Sequence, residues 1–482
     1  MSESSFKKTI ITSVIWRFLE QASSAACALI IQIILARILL PEDYGVIAIV
    51  VVFTTLANVF IQNGFNASLI QSKDVSEVDY SSVFYVSILV AGILYAILYI
   101  SAPFIAAFYG NDIICPVLRV MGLTLFIGAF NSIQTAIVSR NFKFKTLFIC
   151  RFGATIVSGV ISIVMAYSGF GIWALVAQQL ISLAIISALL LFALRWIPKF
   201  MFSIKRVKTL FSFGWKVLAS SLLDTGYRQI TNLIVGMFYS TAELGYYSKG
   251  YEFPTMLVTN IDYSIQSVML PACSKKQDSL TDVKNFLRTA LKTSSYLVFP
   301  AMFGLAAIAY PMVDILLTEK WHPAVPFIQI FAVSCAFWPI TGSITQALNG
   351  IGRSDVYLKL KIIGKITGLS ILCVTVFISP LAIALGTVFS GMIFIYVLSV
   401  ATKKIFQYSY GDIWKDLLPS LLLSILMFVV VYSIQYFGLS SLVTLCIQIS
   451  VGIIFYISLS KALKFESFNF MMNIIKSYIP KK

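Results

Sequence analysis

Charge is what this sequence has least of. Only 12% of its 482 residues are Asp, Glu, Lys or Arg, while 59% are hydrophobic and the mean hydropathy is +0.90. A soluble domain carries about 25% charged residues. Too few polar side chains are present to coat a water-facing surface, so a soluble enzyme, a disordered scaffold and a soluble nucleic-acid binder are all excluded. Histidine is scarcer still. The single residue, His322, has no second imidazole with which to build a zinc site. The seven cysteines (Cys27, Cys115, Cys150, Cys273, Cys335, Cys373 and Cys446) stand far apart without a C-x-x-C pair, and read as small apolar packing residues. No G-x-x-x-x-G-K-[ST] loop occurs, so the chain itself has no P-loop for ATP. Nor is a cleavable signal peptide expected at the start. The first apolar stretch, 10–40, holds Arg17 and Glu20, whereas a signal core is about 7–15 residues long and uncharged.

What the sequence does have is apolar runs. A helix needs about 20 mainly apolar residues to cross the hydrocarbon of a bilayer. Fourteen stretches qualify as candidates, from 12–36 through 211–236 and 245–271 to 417–436 and 441–460. The expected fold is an all-α integral membrane protein of about fourteen transmembrane helices. Orientation follows from the basic residues, which gather on the cytoplasmic side. With the N-terminus inside, every loop Lys and Arg falls inside except Arg37 and Lys320. That asymmetry predicts cytoplasmic N- and C-termini and gives the net charge of +16 its meaning.

An internal repeat is detectable. Leu40-Pro41-Glu42-Asp43-Tyr44-Gly45 is echoed by Ser240-Thr241-Ala242-Glu243-Leu244-Gly245, Trp16-Arg17-Phe18-Leu19 by Trp215-Lys216-Val217-Leu218, and Ser132-Ile133 by Ser343-Ile344. Six spans lie between matching points, an even number, which predicts a parallel repeat about an axis along the membrane normal. The expected organisation is a six-helix bundle over 1–208, a second over 209–410, and two appended helices with a basic tail over 411–482. The transport path is expected between the bundles.

The residues also carry a resemblance. The runs 35–45 (LARILLPEDYG), 63–71 (NGFNASLIQ) and 170–179 (FGIWALVAQQ) resemble signatures of Wzx-type polysaccharide flippases, in the colanic-acid-exporter-like branch of the multidrug/oligosaccharidyl-lipid/polysaccharide exporter superfamily. The resemblance implies fourteen helices, two bundles and alternating access in the bacterial plasma membrane. It implies as substrate an oligosaccharide on undecaprenyl pyrophosphate, moved from the inner to the outer leaflet for O-antigen, capsule or exopolysaccharide synthesis. The polysaccharide polymerase machinery is then an expected partner, alongside membrane lipid.

An anionic head group cannot cross hydrocarbon unaided, so charges inside the spans draw attention. Arg17 and Lys216 occupy matching positions in the repeat, Arg228 lies deepest, and Lys249 sits nearer an outer end. These four are the candidate pyrophosphate ligands. Arg119, Lys292 and Lys365 stand close to span ends and read as snorkelling side chains. Glu20, Asp224, Glu252 and Asp262 are the intramembrane acids. Arg17–Glu20, Asp224–Arg228 and Lys249–Glu252 each share a helix face. They are charge partners, or acceptors for a coupling ion, H⁺ or Na⁺. Asn58, Gln62, Asn63 and Asn66 on the second span are the candidate sugar path, with further amides at Gln134, Asn232, Asn260, Gln266, Gln346 and Asn349. Asp314, Glu319, Lys320 and His322 read as a solvated outer turn.

No catalytic set, cofactor motif or metal site accompanies these groups, and the outer loops are short, so the chain is read as a transporter and not as a polymerase or ligase. The alternative within the same superfamily is a multidrug or metabolite/cation antiporter. A deep Arg228 suits an anionic substrate better than a cationic drug.

Overall fold

The computed structural model describes residues 16, 23–72, 74–141 and 143–469. Among these no strand occurs, as lipid requires, because a helix satisfies every backbone polar group within itself. The helices are α1 (Ser23–Ile38), α2 (Pro41–Gln71), α3 (Glu77–Tyr109), α4 (Ile114–Met121), α5 (Thr124–Arg140), α6 (Phe144–Tyr167), α7 (Trp173–Leu194) and α8 (Ile204–Phe238). They continue with α9 (Thr241–Lys275), α10 (Leu280–Leu316), α11 (Val325–Ala336), α12 (Trp338–Gly350), α13 (Ser354–Thr375), α14 (Pro380–Phe406), α15 (Tyr410–Ser433) and α16 (Ser441–Ala462).

Local chemistry sets the ends. Pro41 opens α2, and the Asp43 carboxylate accepts the Leu40 N–H at 3.1 Å. Ser76 with Asp79, and Ser409 with Asp412, form capping boxes before α3 and α15. Gly110, at φ 62°, closes α3 in the left-handed region that a residue with a Cβ resists.

Among the described residues, ten segments are long and apolar enough to cross a bilayer. Two of them, Ile114–Arg140 and Glu319–Gly350, are built from paired pieces, α4 with α5 and α11 with α12. The chain is a multi-pass membrane protein. Four further expected spans correspond to α1, of which Ser23–Ile38 is described, and to α8, α9 and α13, which carry more charged residues.

Contacts divide the chain into two compact units, Met1–Gly245 and Tyr246–Lys482. In the first, α2 is the spine and packs along α8 and α5. Ile61, Leu125 and Ala129 lie in one core cluster, and Leu69, Ile133 and Trp196 in another. The two copies of the repeated hairpin turn meet here. A Cβ on Gly45 would lie 1.8 Å from the Thr241 carbonyl oxygen, and one on Gly245 would lie 2.1 Å from that of Pro41. Each glycine is therefore the seat for the other turn's backbone, the close approach that small residues permit between membrane helices. Charges lock the loops. Asp79 is buried and pairs with Arg206 at 2.9 Å, while the hydroxyls of Ser81 and Ser82 accept the backbone N–H of Lys199 and Ser203. Arg140 donates to the carbonyls of Leu69 and Ser72, capping the end of α2.

In the second unit α10 is the hub, packed by α15, α11 and α16. Tyr296, Leu423, Met427 and Tyr456 share a core, and the Tyr456 hydroxyl donates to the Tyr296 carbonyl at 3.0 Å. Asp416 fixes α15 to α10. Its side chain is 3% exposed and accepts from Arg288 at 2.5 and 2.9 Å and from Tyr408 at 2.8 Å, with Lys292 at 3.4 Å. Lys292 also pairs with Glu466 at 2.6 Å. It is thus a clasp between elements and not the free snorkelling chain expected of its position. The hydrogen bond from Lys292 holds the Glu466 carboxyl below the usual carboxylate range.

The outer turn also departs from expectation. Trp321 is fully buried, and Asp314 accepts from Ser441 while sitting 3.0 Å from His322, which stacks on Tyr310. This is a built corner joining α10, the 3-10 turn Glu319–Ala324 and α16, because the aromatic ring of Trp321 draws the turn inward.

Candidate functional site

The polar groups inside the spans sort by what holds them. Arg17 and Glu20 lie outside the described residues, as do the side chains of Lys216 and Asn63. On α8, Arg228 is exposed and Asp224 half-buried. On α9, Lys249 is only 3% exposed and pairs with Glu252 at 2.8 Å. This spacing of three does what the sequence suggested, and it spends the two charges on each other. Burial of Lys249 makes it a poor contact for a bulky head group. Arg119 lies 4.1 Å over the Tyr99 ring, in keeping with an interfacial cation.

The amides of α2 form a connected run. Asn58 donates to the Thr54 carbonyl at 2.9 Å, Gln62 donates to Asn58 Oδ1 at 3.4 Å, and Asn66 donates to the Ser132 carbonyl on α5 at 3.3 Å. Gly128 of α5 makes room for them: a Cβ there would stand 2.8 Å from Asn58 Oδ1. Gln134 is buried and donates to the Ser187 carbonyl on α7 at 2.9 Å.

A second polar run lies in the other unit. Gln266 donates to Asp262 Oδ2 at 2.6 Å, and Gln346 of α12 donates to Gln266 Oε1 at 3.0 Å. A Cβ on Gly342 would meet Gln266 Nε2 at 2.7 Å and Asp262 Oδ1 at 2.9 Å. Sequence reasoning named Asp262, Gln266 and Gln346 separately. It missed Gly342 and Gly128, whose role is to be empty of side chain and which leave no polar signal. Asp416 and Asp79 were also passed over, because each sits near a helix start where an acid looks like an ordinary cap.

Among the described residues no group of three or more His, Cys, Asp or Glu side chains is placed to hold a metal. The first unit thus offers amides and the exposed guanidinium of Arg228, and the second offers amides and Asp262, groups suited to hydrogen bonding and ion exchange.

The family described as Polysaccharide biosynthesis protein matches residues 34–326. The chain belongs to this family. Among relatives of this polysaccharide biosynthesis protein is the teichuronic acid biosynthesis protein TuaB of Bacillus subtilis, 24% identical over 94% of the chain and 96% of TuaB. The succinoglycan biosynthesis transport protein ExoT of Rhizobium meliloti is 23% identical over 72% of the chain and 71% of its own length. The lipopolysaccharide biosynthesis protein WzxC of Escherichia coli is 20% identical over 74% and 73%. Among solved structures, the lipid II flippase MurJ in an inward closed conformation aligns with a TM-score of 0.73 at 18% identity, covering 94% of the chain and 99% of MurJ. An inward-facing multidrug transporter of the same superfamily aligns at 0.58 and 14%, covering 83% and 98%. These likenesses show that the chain shares the fold of these two transporters.

Proposed function

We propose that this polysaccharide biosynthesis family member is a flippase for undecaprenyl-pyrophosphate-linked oligosaccharide, moving repeat units from the inner to the outer leaflet of the bacterial plasma membrane. The observation that carries the reading is the extent of the MurJ likeness, 94% of the chain against 83% for the multidrug transporter. The fold of a lipid-linked-sugar carrier fits over more of the chain than that of a drug exporter.

On this reading α1, α8, α9 and α13 cross the bilayer too, giving fourteen spans with both termini in the cytoplasm. The repeat-related bundles are 1–208 and 209–410, and 411–482 is appended. Arg228, exposed on α8, contacts the pyrophosphate, since a guanidinium matches paired phosphate oxygens. Arg17 and Lys216 share that task from their repeat-matched places. The α2 amides Asn58, Gln62, Asn63 and Asn66 face the sugar. Transport proceeds by alternating access driven by an ion gradient, and the chain performs no covalent chemistry.

The test is made in cells lacking this gene and any redundant exporter. Complete lipid-linked repeat units are quantified and assigned to a leaflet. Accumulation in the inner leaflet, relieved by the wild-type gene, is expected. Accumulation in the outer leaflet points to a polymerase or ligase defect. No change in lipid-linked sugars moves the assignment to a small-molecule antiporter.

A further inference from the structure

The polar runs of the two units are alike in arrangement. Asn58–Gln62 on α2 and Asp262–Gln266 on α9 are both four-residue pairs, equally far from the helix ends Gln71 and Lys275. Each pair rests on a glycine in the second turn of the later piece of a two-piece span, Gly128 in α5 and Gly342 in α12. The glycine is needed for the same reason in both, since a Cβ would come within 3 Å of the polar pair. The two runs differ in one group. Where the first has the amide of Asn58, the second has the carboxyl of Asp262.

That difference leaves an open valence. In the first run Asn58 Oδ1 accepts from Gln62 and its amide nitrogen donates to Thr54. In the second, Gln266 satisfies Asp262 Oδ2, but Oδ1 is buried and has no hydrogen-bond partner among the described residues. The hydroxyl of Ser343, next to Gly342, is likewise buried without a partner. No charged side chain from α9 or α12 bears on Asp262. Two other acids, by contrast, are held by basic side chains: Glu252 by Lys249, and Asp416 by Arg288 and Lys292. A carboxylate oxygen inside a span, turned toward a glycine and answered by no donor, is costly unless a cation meets it.

We infer, on the transport function proposed above, that Asp262, oriented by the Gln346–Gln266 relay against Gly342, is the acceptor of the coupling cation, a proton or a sodium ion. The first unit keeps the neutral form of the same arrangement and binds none. Cation binding takes the site from a net charge of −1 to zero. Asp262 then matches its neutral counterpart in charge, so binding and release toggle the repeat between electrostatic symmetry and asymmetry.

Asp262→Asn is the informative variant, because the first unit already carries an asparagine in this setting and the fold accommodates it. Gln266→Leu is the second variant, removing the relay while keeping the acid. Full-length protein in nanodiscs is measured in two ways: ²²Na⁺ binding by scintillation proximity, and the infrared carboxyl band that appears on an acid pH jump. The chain has 20 Asp and Glu residues, so the Asp262 proton is read as the part of the carboxyl band that is present in wild type and missing from Asp262→Asn. Wild type is expected to show either ²²Na⁺ binding or that difference band, and Gln266→Leu to weaken it; ²²Na⁺ binding lost in Asp262→Asn identifies sodium, and the difference band identifies a proton. Identical wild-type and Asp262→Asn results in both measurements overturn the inference.

Flipping of lipid-linked oligosaccharide in proteoliposomes under a H⁺ or Na⁺ gradient separates this from the function itself. Wild type should accumulate substrate on one side, and Asp262→Asn should only equilibrate it. Wild-type flipping that ignores both gradients overturns the cation site while the flippase stands. Asp262-dependent binding without any wild-type flipping keeps the site and removes the substrate assignment.

Discussion

The reciprocal seat of Gly45 and Gly245 makes a quantitative prediction. Real Cβ atoms are not found within 3.0 Å of a carbonyl oxygen. Gly45→Ala places one at 1.8 Å from Thr241 and Gly245→Ala places one at 2.1 Å from Pro41. The atoms struck are backbone, so no side chain can swing aside, and the two helix starts must part by about 1 Å or more. Overpacking of this kind costs about 1–3 kcal/mol, with Gly45→Ala expected at the upper end and Gly245→Ala below it. Both substitutions push the same two backbones apart. Once the first alanine has separated them, the second finds part of its space already made. The double variant is therefore expected to cost at least about 1 kcal/mol less than the singles added together, as neighbouring sites couple. The assay is thermal loss of the monodisperse peak of detergent-purified protein, compared across wild type, both singles and the double. Single variants that melt with wild type, or a double whose shift equals the summed singles, would refute the idea that the turns are seated on one another.

The Asp416 clasp gives a second expectation. Asp416→Asn takes from Arg288, Lys292 and Tyr408 the carboxylate they share, replacing one acceptor oxygen with an amide donor, and should cost about 2–3 kcal/mol, a buried-pair loss moderated by the exposure of Arg288; Lys292→Ala should cost about 1 kcal/mol, and both are read as lowered thermal midpoints. Arg228→Ala should abolish flipping at unchanged thermal stability, whereas Lys249→Ala should lower stability because it strips the buried partner from Glu252; wild-type flipping by the Arg228 variant would remove that residue from the site. Glu466, whose carboxyl is depressed by Lys292, contributes to the clasp at neutral pH and loses that contribution as pH falls through its lowered value. Limited proteolysis of the segment after α16 should therefore increase on acidification, and Lys292→Ala should remove that pH dependence.

Much of the fold was legible because lipid imposes a simple rule. A run of apolar residues is the whole signal for a span, and the ten apolar segments fall where those runs are. The pairing of Lys249 with Glu252 was legible for a similar reason, since a spacing of three fixes neighbours on one helix. The clasp of Asp416 on Arg288 was not, because its partners stand 128 residues apart and only packing brings them together. The outer corner at Trp321 was hidden by its polar neighbours, which suggested a wet turn. Gly128 and Gly342 were hidden most thoroughly. A glycine in a span reads as a packing residue, and its particular use appears only when the atoms that would strike a Cβ are known.

The same distinction decides which intramembrane charges matter. From composition alone, each ionisable group in a span is equally suspicious, because each costs free energy to bury. Packing then divides them. Lys249 with Glu252, and Asp416 with Arg288 and Lys292, meet their cost inside the protein. Such pairs fix helices in place and have little left to offer a ligand. Arg228 is exposed on α8, and Asp262 has one oxygen without a hydrogen-bond partner among the described residues. A transporter must keep some of its electrostatic cost unpaid by its own side chains, since only an unmet charge gains by binding and loses by release. The repeat sharpens the point. The first unit has a comparable arrangement that is completed by a neutral amide, and on the inference drawn above the acid at 262 serves the transport cycle.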